Sequence, residues 1–161
     1  MPEPVRQLRL LVLGAGGVGK TALVHRFMHD NFSALYTPTV EDFHSQVVKQ
    51  IDGTIQALEI IDTGGTHNFP AMLEMNIKMA QGFLLVYSDD QRNSFDVAYD
   101  NISRVTTTPG HASLSAVFSC AKDNVNVRQV FHAILSRVLL RLIWSTGIVL
   151  CLLDIFAAVV V

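Results

Sequence analysis

The sequence predicts a three-layer α/β domain built on a mostly parallel sheet. Two observations carry that prediction. Short apolar runs alternate with stretches of helical spacing along the 161 residues, and a glycine-rich turn joins the first run to the first helix. Strands buried on both faces read as continuous apolar runs, and the helices between them supply the crossovers. Length agrees, since a chain of this size buries an ample single core.

Leu8 to Leu13 is the first apolar run, a buried strand. Gly14-Ala15-Gly16-Gly17-Val18-Gly19-Lys20-Thr21 follows it, and Thr21 to Phe27 has helical spacing. His29 to Glu41 is polar and turn-prone, and Pro38 holds Thr37 extended, so this stretch is loop. His44 to Ile51 and Thr54 to Ile61 pair as a hairpin across Asp52-Gly53, a dipeptide suited to a tight turn. Asp62-Thr63-Gly64-Gly65 ends the second of these strands. Pro70 to Ala80 reads as a helix with Met72, Met75 and Met79 turned to the core. Gly82 to Ser88 is a further buried strand and Ser94 to Val105 a helix. Ser113 to Ser119 is a weaker strand, and Val125 to Ile143 a longer helix. No internal repeat or low-complexity linker interrupts the pattern.

Composition bounds the partners. Half the residues are apolar and the net charge is −2, which argues against a polyanion-binding surface and hence a nucleic-acid partner. Two cysteines, Cys120 and Cys151, make no disulfide framework, so a reducing cytoplasm is the expected compartment. Met1 to Gln7 is short and polar, unlike a secretory signal. From Leu142 to Val161 the chain reads LIWSTGIVLCLLDIFAAVVV, with Asp154 its one charge. Twenty helical residues would span about 30 Å, the thickness of a bilayer core, with Arg137 and Arg141 at the cytosolic end. Asp154 opposes insertion by about 2.5–3.5 kcal/mol. Membrane association through residues 142–161 is thus one expectation, and a packed terminal helix or strand the other. Residues 1–141 form the domain and 142–161 the tail.

The segment Gly14–Thr21 fits G-x-x-x-x-G-K-[ST], the phosphate-binding P-loop, in the required place between strand and helix. Its glycines let successive backbone N–H groups turn toward a β-phosphate, and the helix N-terminus adds partial positive charge. Lys20 then reaches the β- and γ-phosphates, and the Thr21 hydroxyl ligates Mg²⁺. Asp62, at a strand end, is placed to hold the same ion, and the Gly65 N–H to meet a γ-phosphate. If Thr39 also reaches the ion, two loops are pinned only while the γ-phosphate is present.

With these residues in this order, the chain resembles the Ras branch of the small GTPases from about Gln7 to Val105, and again from Ser119 to Arg137. Tyr36-Thr37-Pro38-Thr39-Val40-Glu41-Asp42 is similar to the family's effector loop, and Asp62-Thr63-Gly64-Gly65 to its third motif. YTPTVEDFH and Phe69-Pro70-Ala71-Met72 are most similar to the Rhes/Dexras and Di-Ras branch. The resemblance implies a Ras-like G domain that binds GTP or GDP with Mg²⁺. Its nucleotide would be held by Gly14, Ala15, Gly16, Gly17, Val18, Gly19, Lys20, Thr21 and Ala22. Phe32 would pack on the guanine and Tyr36 fold over the phosphates. Thr21, Thr39 and Asp62 would hold the metal. Lys20, Thr39, Gly65 and Thr66 would serve the chemistry. Effectors, exchange factors and GTPase-activating proteins would meet Tyr36 to Asp42.

Three departures qualify this. Thr66, followed by His67, stands where the family has its water-orienting glutamine, which implies slow hydrolysis. The N-K-x-D motif that reads guanine is absent; Ser119-Cys120-Ala121-Lys122 resembles the fifth motif and leaves Cys120, Ala121 and Lys122 to meet the base. About one strand-helix unit is missing ahead of it. In the family that strand lies inside the sheet, so either Ser113–Ser119 moves into its place or a gap remains. Finally, the chain ends Ala158-Val159-Val160-Val161 with no C-a-a-X box, so prenylation is not expected. Two functions follow: a slow GTP-hydrolysing switch, or an effector-binding decoy or scaffold with impaired nucleotide binding. An altered transcript would explain the missing unit and the apolar tail together.

Overall fold

A computed structural model describes residues 7–49, 53, 55–65, 69–107, 111–144 and 153–160, with the backbone alone at 111–118, 139–144 and 153–160. The elements run β1 (Gln7–Gly14), α1 (Lys20–His29), β2 (Glu41–Lys49), β3 (Ile55–Thr63), α2 (Pro70–Met79) and β4 (Gly82–Ser88). They continue with α3 (Arg92–Thr106), β5 (His111–Ser119), α4 (Val127–Trp144) and β6 (Leu153–Val160). The sheet order is β2-β3-β1-β4-β6-β5. Only β2 and β3 pair antiparallel, as the hairpin predicts; every other pair is parallel.

Alternation along β1 builds the three layers, because successive strand residues point to opposite faces. Leu8, Leu10 and Val12 join a core with Leu23, Val24 and Phe27 of α1 and Val130, Phe131 and Ile134 of α4. Phe27 stacks on Phe131 at 4.1 Å between ring centroids. Leu11 and Leu13 face the other way, onto Leu73 and Ile77 of α2 and Val105 of α3. Both faces of the central strands are therefore dry, and the loops at the carboxyl ends of β1 and β3 are left to form a site.

Two sequence expectations are corrected. The methionine row of α2 does not face the core: Met75 and Met79 are 52 and 37 % exposed. Leu73, Ile77 and Ala80 make the buried stripe instead, at the i, i+4, i+7 spacing of one helix face. The sheet also has neither a gap nor a β5 shifted against β4. The tail supplies the interior strand: β6 lies between β4 and β5, with Phe83↔Ile155 to Ser88↔Val160 on one side and Leu114↔Ile155 to Ser119↔Val160 on the other. An unbroken apolar run suits a strand buried on both faces as well as it suits a helix. Among the described residues no helix is long and apolar enough to cross a membrane.

Candidate functional site

The chain leaves β1 at Gly14, where φ is +149° and a Cβ would lie 2.1 Å from the Val86 carbonyl oxygen. Only glycine fits there, so the turn begins against β4 and wraps back to α1. Lys20, the first residue of α1, is 5 % exposed, and its Nζ donates to the carbonyls of Gly14 at 3.0 Å and Ala15 at 2.7 Å. Burial pushes its ammonium down to about 8, against the opposing pull of the Asp62 charge. A buried ammonium whose hydrogen bonds go to backbone carbonyls is a strong anion receptor.

Three oxygens converge beside it. Thr21 Oγ1 donates to Asp62 Oδ2 at 2.5 Å and lies 2.8 Å from Thr39 Oγ1. Asp62 is fully buried, and among the described residues its Oδ1 has no hydrogen-bond partner. Burial raises the Asp62 carboxyl above its usual range, while the Thr21 hydrogen bond and then Lys20, His44 and His25 pull it down. An orphaned carboxylate oxygen with two hydroxyls alongside suits a small, hard cation such as Mg²⁺.

The two loops meet over the P-loop. Gly64 N–H donates to the Val40 carbonyl at 2.9 Å. A Cβ on Gly65 would lie 2.0 Å from the Gly16 nitrogen, and one on Gly16 would lie 3.7 Å from Tyr36 Oη. Gly65→Ala must therefore push its loop off the P-loop. We expect it to leave the fold intact and to weaken binding of a triphosphate more than of a diphosphate, measured by competition titration.

A cavity of about 440 Å³ lies beneath these loops, within the range of small-molecule sites. Gly16, Gly17, Gly19, Lys20, Thr21, Ala22, Phe32, Tyr36, Thr39 and Gly65 line it, so most residues predicted from the sequence are brought together. Gly14 and Ala15 contribute carbonyls to Lys20, Val18 packs into the core, and Asp62 sits behind Thr21. Cys120, Ala121 and Lys122 do not line it. They occupy the turn after β5, closed by paired Cys120–Val125 backbone bonds, with Ala121 buried. Arg26 of α1 holds that turn, donating from Nε to the Ala121 carbonyl at 2.7 Å and from Nη2 to that of Lys122 at 3.0 Å. Thr66 and His67 lie outside the described residues. Sequence reasoning missed His25, which also lines the cavity. Its position one turn after Thr21 on the same helix face was the available signal.

The Ras family model matches residues 9–117. The chain is 49 % identical over 88 residues to GTP-binding protein Rhes of Mus musculus, covering 55 % of this chain and 33 % of that protein. It is 47 % identical over 96 residues to GTP-binding protein Di-Ras2 of Mus musculus, covering 60 % and 48 %. Di-Ras1 of Homo sapiens is 43 % identical over 96 residues, with the same coverage. The chain thus spans from a third to about half of the curated relatives it matches. On its α/β sheet, its P-loop and a match over most of its length, this chain belongs to the Ras family.

Proposed function

We propose that the chain binds GTP and GDP with Mg²⁺ as a Ras-type switch and hydrolyses GTP slowly. One observation carries the reading: Lys20, Thr21, Thr39 and Asp62 converge at one end of a nucleotide-sized cavity roofed by Tyr36 and Gly65. Lys20 and the P-loop amides stabilise charge on the β- and γ-phosphates. Thr21 and Asp62 would hold Mg²⁺, which would supply positive charge against the phosphates when bound. Thr39 joins it from the first loop, and the Gly65 N–H meets the γ-phosphate from the second. Loss of that phosphate releases both. Without a glutamine, the attacking water at Thr66 has no fixed orientation, and single-turnover hydrolysis should be slow even with a full site. That assay tests the reading. A phosphate-release rate as fast as that of a GTPase given an arginine in trans, roughly 5–20 s⁻¹, would contradict it, as would retained hydrolysis after Lys20→Met.

The Lys20 shift gives a pH test. The ligand-free ammonium loses its proton near pH 8, yet a bound polyanion requires it charged. Affinity for GDP should therefore fall as pH rises through about 8, by up to roughly tenfold per pH unit. Stability of the ligand-free chain should move oppositely. Unfolded lysine keeps its proton to about 10.5, so the unfolded state binds more protons between the two values and stability rises with pH there. Titration of labelled GDP from pH 7 to 9.5, beside urea melts, reads both.

The position of Ala121 and Lys122 favours a second reading, an effector-binding decoy or scaffold. Neither residue lines the cavity, and no N-K-x-D aspartate is present to accept the guanine edge. In that reading Tyr36 to Asp42 still offers an interaction surface while nucleotide binds weakly.

A further inference from the structure

Glu41 opens β2, directly after the loop residues Thr39 and Val40. Its Oε1 accepts a hydrogen bond from Asn76 Nδ2 at 2.5 Å. Asn76 is 2 % exposed and sits on the sheet-facing side of α2. The contact ties the start of the first loop's strand to the helix that follows the second loop.

Glu41 also lines a separate cavity of about 30 Å³, room for about two waters. Asn101 of α3 lines the same cavity, together with Gly14, Thr63 and Gly64. Asn101 is 1 % exposed, and among the described residues neither its amide nitrogen nor its oxygen has a hydrogen-bond partner. A buried amide left so costs about 1–3 kcal/mol for each unpaired group. Of two buried primary amides on two different helices, Asn76 is therefore served by the Glu41 carboxylate, while Asn101, which shares the small cavity with Glu41, is not.

We infer that Glu41 is a two-position tie, held by Asn76 in the arrangement described here and by Asn101 in a second one. In the first position α2 is clamped to β2. In the second, the carboxylate turns into the small cavity, accepts from the Asn101 amide nitrogen and frees α2. Glu41 follows Val40, whose carbonyl accepts from Gly64, so the exchange shifts both loops together. A carboxylate passing between two fixed amides is a discrete two-state element of the kind that couples separate segments. The inference needs no nucleotide, so it stands or falls apart from the GTP reading.

The test is NMR of the asparagine side-chain amides in the full chain without nucleotide, comparing wild type with Asn76→Leu, Glu41→Gln and the double variant. With Asn76 gone, Glu41 should move to Asn101. The Asn101 amide protons should then shift downfield and exchange with solvent at least tenfold more slowly. Adding Glu41→Gln should cancel both changes. Asn101 resonances that do not respond to Asn76→Leu, or that respond equally in the double variant, would overturn the inference; they would mean that water alone serves Asn101. Should Asn76→Leu fail to fold, Glu41→Gln alone decides. A two-position tie moves the resonances of both Asn76 and Asn101, whereas a static one moves only Asn76.

Discussion

Lys20→Met is expected to abolish nucleotide binding while leaving the ligand-free fold about as stable as wild type. The ammonium is buried and held at about 8 by desolvation, which costs folding energy at neutral pH. Removing it leaves the Gly14 and Ala15 carbonyls without their lysine partner, a loss of about 1–3 kcal/mol for each that water does not reach, which the relieved desolvation of the ammonium offsets. Binding suffers far more. Two or three charge-assisted hydrogen bonds to phosphate, at about 1.5–3 kcal/mol each, amount to roughly 10²–10⁶-fold in affinity. Urea melts and labelled-GDP titration on the same sample separate the two effects. A variant that unfolds would show Lys20 to be structural. One that still binds would remove the phosphates from Lys20 altogether.

The second large effect concerns the tail. Ala157 lies midway along β6, paired with Leu85 of β4 on one side and Ala116 of β5 on the other. Proline there removes a ladder hydrogen bond from an interior strand and fixes φ, which costs about 3 kcal/mol or more. β5 would suffer as well, because β6 is its only neighbour in the sheet. Ala157→Pro should therefore lower the melting temperature by roughly 6–12 °C, at 2–4 °C per kcal/mol for a chain of this length. Ala157→Val, which suits a strand, should change it little. If the proline left the melt unchanged, β6 would not be part of the folded sheet.

The sequence made the P-loop legible because its chemistry is contiguous. Strand, glycine turn, Lys20 and Thr21 are neighbours along the chain, and each residue type has a local physical reason. The hairpin and the strand Gly82–Ser88 were legible for the same reason, through turn chemistry and apolar run length. What escaped was non-local. An apolar segment such as Leu153–Val160 fits a helix and an interior strand equally, and only pairing with β4 and β5 decides. The α2 methionines have helical spacing, but the neighbouring stripe of Leu73 and Ile77 takes the sheet-facing position. The fit of Gly65 against Gly16, and the hold of Arg26 on the Ala121 turn, join residues 49 and 95 positions apart, which no periodicity reports.

Competition binding on the full chain, using fluorescent GDP with Mg²⁺ and unlabelled GTP or ATP as competitor, decides whether a guanine nucleotide is held. Sub-micromolar binding displaced by GTP and untouched by ATP is the predicted result. It would mean that a guanine pocket forms beside Lys20 without the N-K-x-D aspartate. A folded chain that binds neither nucleotide would contradict the switch reading and leave Tyr36 to Asp42 as the surface of a decoy.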